Sequence, residues 1–300
     1  MAIRASGEAL LIDYSADSDH NRCVMTILGG GEPIRLAVLA AAQTAVEHID
    51  LRAHTGVHPR TGAIDVVPVV PLRNATRAGA IALADQIGRD LVKSLELPVY
   101  FYESNSKPQQ GTTGSALPDL RRGGFERFAR EPLIGTLAPS LGPSKAHPSA
   151  GIVIVGAREP LVAYNINLNT PDISTALQIA RRIRQERDRL PALAGVRALG
   201  LVLQSQNRAQ VSLNLTRPAE TPLSGVYAFV QQEAMRLGIT SELESEIIGV
   251  IPRSALGNLP PEAIHWHTYK PTQILEYWLE NSSPLSGAEL LAGEGFGIDF

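Results

Sequence analysis

The chain lacks most of the features that would commit it to an obvious class. It has a single cysteine, Cys23, among 300 residues. No intramolecular disulfide can therefore form, and a cysteine-rich zinc site is excluded. Aromatic residues make up only 5%, which leaves little surface on which to stack nucleobases. Charge of one sign is also missing. The 27 Lys and Arg against 30 Asp and Glu give a net charge of −3, which is too balanced for a broad basic face that neutralises phosphates. No apolar run approaches the roughly 18 residues that a membrane span needs, and Met1-Ala2-Ile3-Arg4-Ala5 opens no secretory signal. The remaining composition is that of an ordinary globular chain, 44% hydrophobic and 19% charged, with length for about two domains of roughly 150 residues each. The default expectation is a soluble cytoplasmic protein with neither nucleic-acid nor membrane partners.

The second half has the clearer pattern. Residues 162–168 (VAYNINL) alternate as a strand. Thr170 and Pro171 then supply an N-cap and a first-turn proline for a helix over 172–188, with Ile173, Leu177, Ala180 and Ile183 at helical spacing. Strands follow at 197–204 and 209–215, then a helix opened by Thr221-Pro222 and closed by Gly238, then a strand at 245–251. The order is βαββαβ, the ferredoxin-like pattern. The first half repeats part of it: strands at 9–14 and 21–28, a helix at 33–48, a strand at 64–70, a helix at 76–95 and a strand at 97–102. Pro68 lacks an amide hydrogen, so its strand is expected to be an edge, to bulge or to end there. A complete βαββαβ needs one more strand and helix before residue 9, and eight residues cannot supply them. Residues 103–150 are rich in Gly, Pro and Ser and form a long connecting excursion, a functional segment on length alone. One helix, at 272–281, is predicted in the tail. The fold class is thus α+β, two ferredoxin-like subdomains with the N-terminal one incomplete, divided as 1–150, 151–257 and a tail at 258–300.

Period-2 reading of the strands gives the first sign of function. Asn165, Asn167 and Asn169 share one face, opposite Tyr164, Ile166 and Leu168; Gln210, Ser212 and Asn214 share another. Asparagine is depleted in strands, so a sheet face lined with amides reads as a groove for a polar ligand more readily than as a merely solvated face.

The densest cluster of chemical groups is His54-Thr55-Gly56-Val57-His58-Pro59-Arg60-Thr61-Gly62-Ala63-Ile64-Asp65. His54 and His58 have the spacing of a helical metal pair, but Gly56 and Pro59 argue against a helix and no third ligand is evident, so no metal is expected. A loop that sets an imidazole beside a guanidinium remains, as does a surface turn. Arg121-Arg122-Gly123-Gly124-Phe125-Glu126 reads by itself as a solvated turn. Gly142-Pro143-Ser144-Lys145-Ala146-His147-Pro148-Ser149-Ala150-Gly151, which leads into a strand at 152–158, reads by itself as a linker and lacks the ending of a phosphate loop.

Taken in order, these motifs resemble the formiminotransferase domain of glutamate formimidoyltransferases. The resemblance runs from about Leu10 to about Pro252. It includes Leu11-Ile12-Asp13-Tyr14-Ser15-Ala16-Asp17-Ser18-Asp19-His20-Asn21-Arg22, the His54–Asp65 and Arg121–Glu126 segments, Val155-Gly156-Ala157-Arg158 and Ala163-Tyr164-Asn165-Ile166-Asn167-Leu168. Gln210–Leu215 and Ser245–Gly249 follow. It implies two ferredoxin-like subdomains, a groove for folate and product, His58 as the catalytic histidine and Gly142 to Gly151 as the folate-binding segment. The family's opening strand and helix, with a Val-Pro-Asn-Phe-Ser-Glu-Gly-like motif, are absent, as is the cyclodeaminase domain that some members append. That opening strand is central in its sheet, so its loss would leave a gap between neighbours; either the chain starts upstream of Met1, or the fold compensates, or the protein is an impaired relative.

The implied reaction carries a formimino group from N-formimino-L-glutamate to tetrahydrofolate as co-substrate. A proton must leave the attacking nitrogen and another must reach the departing one, a task for an imidazole with a pKa near ~6.5. Arginine forks suit the substrates' carboxylates, with Arg60 and Arg158 first and Arg22 next, while Asn165, Asn167 and Gln210 can bind neutral polar groups. Asp65 is a candidate to orient an imidazole or to stabilise the cationic amidine. Partners are expected to be small molecules, with a homodimer left open. Formyl transfer involving 5-formyltetrahydrofolate, a non-catalytic folate-binding relative and an RNA-binding βαββαβ module are the competing readings.

Overall fold

The computed structural model describes Ile3, residues 8–106 and 117–281, and the backbone of residues 290–294. Its contacts divide the chain into unit 1, Met1–Arg158 with Ser283–Phe300, and unit 2, Glu159–Ser282. The division falls after the strand that follows the Gly142–Gly151 segment, later than 150/151, because that strand pairs within unit 1. The tail is likewise shared between the units.

Unit 1 contains strands β1 (Leu10–Asp17) and β2 (Arg22–Gly29), helix α1 (Gly31–His48), β3 (Val66–Leu72), α2 (Arg77–Leu95) and β4 (Val99–Phe101). Two short helices, α3 (Leu117–Leu120) and α4 (Gly124–Arg130), interrupt the long excursion before β5 (Val153–Ala157). Helix α2 starts where Thr76 accepts the Gly79 amide at 3.0 Å and ends on Glu96 in the left-handed region. The Ile34, Val38, Ala41 and Ala45 stripe of α1 and the Leu83, Ile87 and Leu91 stripe of α2 bury against Ile27, Val67, Val69, Val153 and Val155 of the sheet.

The sheet order is β1-β2-β10-β3-β5-β4, where β10 is Leu290–Glu294 from the far end of the chain. No gap stands between β2 and β3: β10 runs antiparallel to both, pairing Leu291–Glu294 with Gly29–Thr26 and Leu290–Gly293 with Leu72–Val69. Its neighbours make β3 an interior strand that continues through Pro68, contrary to the expectation of an edge, a bulge or an end. The alternation of the ladder explains why. The Ile154 amide donates to Asp65 O and the Arg158 amide to Val69 O, so odd-numbered residues of β3 aim their polar groups at β5 and Pro68 aims away from it. On that side the pairing with β10 reaches Val69 as its last position among the described residues, so the missing hydrogen falls at the end of that ladder rather than within it.

Unit 2 follows the order β6 (Val162–Leu168), α5 (Ile173–Glu186), β7 (Val196–Leu203), β8 (Arg208–Leu215), α6 (Leu223–Arg236) and β9 (Glu244–Ile248), then α7 (Arg253–Leu256) and α8 (Leu275–Asn281). The sheet order is β7-β8-β6-β9, with every pair antiparallel. Val162, Tyr164, Ile166 and Leu168 bury with Ile179, Ile183, Val226 and Val230 of the helices, which leaves the amide-bearing residues on the opposite face. Helix α5 departs from expectation in two respects. Asp172, not Thr170, caps it, accepting the Ser174 amide at 2.9 Å. Its core face is Ala176, Ile179, Ala180 and Ile183, while Ile173 and Leu177 are exposed. The helix backbone comes so close to β7 that a Cβ on Gly200 would lie 2.6 Å from the Leu177 nitrogen. At that approach small side chains form the contact and large ones turn outward.

Candidate active site

The hairpin turn joining β1 to β2 is tied to the loop that carries His54 and His58. Asp17 Oδ1 accepts the His20 amide at 2.7 Å and shapes the turn. The Val57 amide then donates to Asp19 O at 3.1 Å, Asn21 Nδ2 to Thr55 O at 2.8 Å, and His54 Nε2 to Asn21 O at 2.9 Å. Gly56 is required at this crossing, since a Cβ there would meet His20 O at 2.5 Å. The clamp lays the His20 ring against the His58 ring, with centroids 5.9 Å apart and planes 25° from parallel.

The protonation of His58 follows from its surroundings. Its Nδ1 lies 2.9 Å from Pro59 O; a carbonyl can only accept, so Nδ1 carries the hydrogen and Nε2 the lone pair. Burial, then the positive charges of Arg22 and Arg121, hold its proton affinity well below the usual histidine value, against the opposing pull of the Pro59 carbonyl. The ring is thus a neutral base at pH 7.

The remaining side chains of this region are locked in a chain of contacts. Arg60 donates through Nε to His54 Nδ1 at 3.0 Å and through Nη2 and Nη1 to the two oxygens of Glu126, at 2.7 and 3.2 Å. The Arg60 guanidinium keeps the Glu126 carboxyl below the usual carboxylate range. Asp65, with a left-handed φ of 48°, accepts the Thr61 amide at 2.8 Å and the Thr61 hydroxyl at 2.9 Å on Oδ1, and Arg121 on Oδ2. Both of its oxygens are therefore engaged with groups other than His58, so Asp65 braces the loop and does not orient the imidazole directly. Arg158 hydrogen-bonds the Tyr102 hydroxyl, and burial pushes that hydroxyl up from its ordinary value.

The Gly142–Gly151 segment packs against the same loop. Ala63 N donates to Ala150 O at 3.0 Å, Leu51 N to Ser149 O at 2.9 Å, and Ile152 N to Thr61 O at 3.1 Å. Gly62 sits in the seam, where a Cβ would lie 1.7 Å from Ile152 O. His147 folds the segment back on itself, with Nδ1 accepting the Ala150 amide at 3.0 Å, and burial lowers its proton affinity. Lys145 stays exposed.

Of the sequence candidates, unit 1 thus gathers Arg22, His58, Arg60 and the His147–Gly151 end of the Gly142–Gly151 segment about one loop, while Gly142 lies against Leu97 and Val92. Unit 2 holds Asn165, Asn167 and Gln210 in a single network, all buried. Four residues of this architecture carry no role in the sequence reading: His20, whose position two before Arg22 gives no periodic signal; Arg121, which alone reads as solvated; Glu126, whose pairing with Arg60 spans 66 positions; and Glu246, whose bonds from Asn165 and Gln210 span 81 and 36.

Two family models match the chain, the formiminotransferase domain, N-terminal subdomain, over residues 1–158 and the formiminotransferase domain over residues 163–266. The chain belongs to the formiminotransferase family. It is 36% identical over 247 residues to a glutamate formimidoyltransferase of Streptococcus pyogenes serotype M1, covering 82% of this chain and 80% of that one. It is 34% identical over 285 residues to a glutamate formimidoyltransferase of Thermoplasma acidophilum, covering 94% and 91%. A formimidoyltransferase-cyclodeaminase of Rattus norvegicus is 35% identical over 259 residues, 85% of this chain but 47% of that longer one. Both matched models of the formiminotransferase family fall on segments that carry the candidate residues, His58 on the first and Gln210 on the second. Among the described residues no helix is long and apolar enough to cross a membrane, and no group of three or more His, Cys, Asp and Glu side chains is placed to hold a metal ion.

Proposed function

We propose that this chain transfers the formimino group of N-formimino-L-glutamate to tetrahydrofolate, giving 5-formiminotetrahydrofolate and L-glutamate. The observation that carries the reading is His58, a neutral imidazole whose Nδ1 hydrogen is spent on the Pro59 carbonyl and whose Nε2 is left as a base. Nitrogen N5 of the pterin attacks the formimino carbon, and a tetrahedral adduct forms. His58 Nε2 takes the N5 proton and then delivers it to the nitrogen of glutamate, so that an amine rather than an anion departs. General acid–base action of this kind contributes about 10²–10⁴ in rate.

Arg22 and Arg158 supply positive charge for the substrates' carboxylates. Arg60, already forked onto Glu126, serves this reading as the brace of the His58 loop rather than as the first carboxylate fork. The Gly142–Gly151 segment, stitched to that loop, receives the folate, and Asn165, Asn167 and Gln210 take neutral polar groups. The family assignment and the glutamate formimidoyltransferase names of relatives near 35% identity support the choice of donor.

The test is a transfer assay with formiminoglutamate and tetrahydrofolate, run beside 5-formyltetrahydrofolate with glutamate. Transfer from formiminoglutamate is expected, and His58→Ala should cut kcat by about 10²–10⁴ while the Kd for tetrahydrofolate stays within about threefold of the parent. Turnover by His58→Ala within about threefold of the parent overturns the role of His58. Transfer only in the formyl pair overturns the donor.

A further inference from the structure

The helix-free face of the unit 2 sheet carries hydrogen-bonding groups that do not satisfy one another. Asn165 on β6 and Gln210 on β8 both donate to Oε1 of Glu246 on β9, each at 3.1 Å. Gln210 Nε2 also donates to Asn167 Oδ1 at 2.9 Å. Both hydrogens of the Gln210 amide are thereby used, and its oxygen is left over. Gln210 is 1% exposed, and its Oε1 is buried with no hydrogen-bond partner among the described residues. An orphaned buried acceptor of this kind destabilises the chain until a donor reaches it. Beside it, Oε2 of Glu246 receives neither of the amide donors that fill Oε1. Gln210 has thus spent its donors and kept its acceptor. Because the cluster stands on three neighbouring strands in the order β8-β6-β9, the sheet ladder fixes its spacing without help from loops.

We infer that Gln210 and Glu246 form an acceptor cradle for a ligand presenting N–H groups along an N–C–N edge, and that this ligand is the 2-amino-4-oxopyrimidine edge of the reduced pterin. The inference rests on the folate reading above and adds which residues recognise the ring. Ring N3–H and the 2-amino group form a donor pair that a carboxylate accepts side by side, as it accepts a guanidinium fork. The second hydrogen of the amino group remains for a neutral acceptor such as Gln210 Oε1. Besides any polar group they take themselves, Asn165 and Asn167 hold Glu246 and Gln210 through the bonds above. The protonated formimino group of formiminoglutamate is also an N–C–N donor pair, so the same cradle chemistry has two sources that experiment must separate.

The experiment measures binding to the full chain of tetrahydrofolate, of 6-methyltetrahydropterin, which keeps the ring and drops the glutamate tail, and of a 2-desamino-2-methyl analogue of tetrahydrofolate. On the parent protein, loss of the 2-amino group is expected to weaken binding by about 10–100-fold, the range of a charge-assisted hydrogen bond. Glu246→Gln keeps the size and exchanges an acceptor for a donor. It should raise the Kd of tetrahydrofolate and of 6-methyltetrahydropterin by about 10–100-fold with the KM for formiminoglutamate within about threefold. Equal binding of the desamino analogue by the parent protein overturns the inference with no variant needed. A Glu246→Gln protein that loses only formiminoglutamate overturns the pterin assignment in favour of the amidine. A parent protein that binds no folate at all brings down the proposed function itself, and that result is visible before any variant is made.

Discussion

The His20 ring lies against the His58 ring at 5.9 Å between centroids, 25° from parallel, because the β1–β2 turn is laced to the His54–His58 loop by three hydrogen bonds. A protonated His20 would set a like charge beside His58, and that contact already acts to lower the proton affinity of His58. His20→Phe keeps a ring in the stack and removes the charge. The proton affinity of His58 should then rise, and the acid limb of kcat/KM should move to higher pH, since the base must be neutral to act. A pH–rate profile checks this; a limb that stays in place or moves down refutes the electrostatic role of His20.

His58 also couples folding to pH. Burial, Arg22 and Arg121 lower its affinity for a proton in the folded chain, while in the unfolded chain it titrates near ~6.5. Between the lowered value and ~6.5 the unfolded chain holds more protons, so stability rises with pH there. The contribution is fully present above ~6.5 and is lost as the pH falls. The slope from one such residue reaches about 1.4 kcal/mol per pH unit. Urea unfolding of the parent and of His58→Gln across pH 4–8, about the ~6.5 midpoint of an unperturbed histidine, should show a shallower decline in the variant. Because His147 is shifted the same way, part of the decline should persist.

The ion pair of Arg121 with Asp65 lies under the site, with side chains 19% and 8% exposed. Asp65→Ala strands the guanidinium and the Thr61 amide together. Removing one partner of a buried pair costs about 3–5 kcal/mol, and the loss should appear as a lower denaturation midpoint with an unchanged m-value. A loss under about 1 kcal/mol would mean that the pair behaves as a surface bridge.

Gly62→Ala places a methyl 1.7 Å from Ile152 O, at the seam between the His58 loop and the Gly142–Gly151 segment. Overpacking against backbone costs about 1–3 kcal/mol or more, and separating the seam should weaken folate binding too. Gly135→Ala is the control: its added methyl meets nothing within 4 Å, so only the cost of its left-handed backbone, about 1 kcal/mol, should register, with folate binding unchanged.

Much of this architecture is legible from period and punctuation. Val162–Leu168 is bounded as its alternation predicts, and α1 and α2 begin and end within a few residues of their apolar stripes. What the pattern hides is set by contacts distant in sequence. Pro68 reads as a strand end until the alternation of the β3 ladder shows its nitrogen facing away from β5. Ile173 and Leu177 read as core until the approach of Gly200 gives the contact to alanines. The site shows the same division. His58 and the amide face are visible from local chemistry, whereas the grip of Arg60 on Glu126, of Arg121 on Asp65 and of Gln210 on Glu246 depends on separations of 66, 56 and 36 residues. Such pairings leave no local signal, because each partner alone looks like an ordinary surface charge or amide.

The position of β10 has a consequence for biogenesis. During translation, β2 and β3 emerge long before residues 290–294, and at about 5–20 residues per second the ribosome needs about 10–40 s to cover the distance. Unit 2 is itself completed only at Ser282, just ahead of β10, so for nearly all of that interval two apolar strands of the earlier-made unit stand unjoined, the kind of edge that invites aggregation. The nascent sheet is therefore exposed until the slot between β2 and β3 is filled. A product released before codon 290 would carry every candidate catalytic and binding side chain named here and still lack the strand that closes its larger sheet.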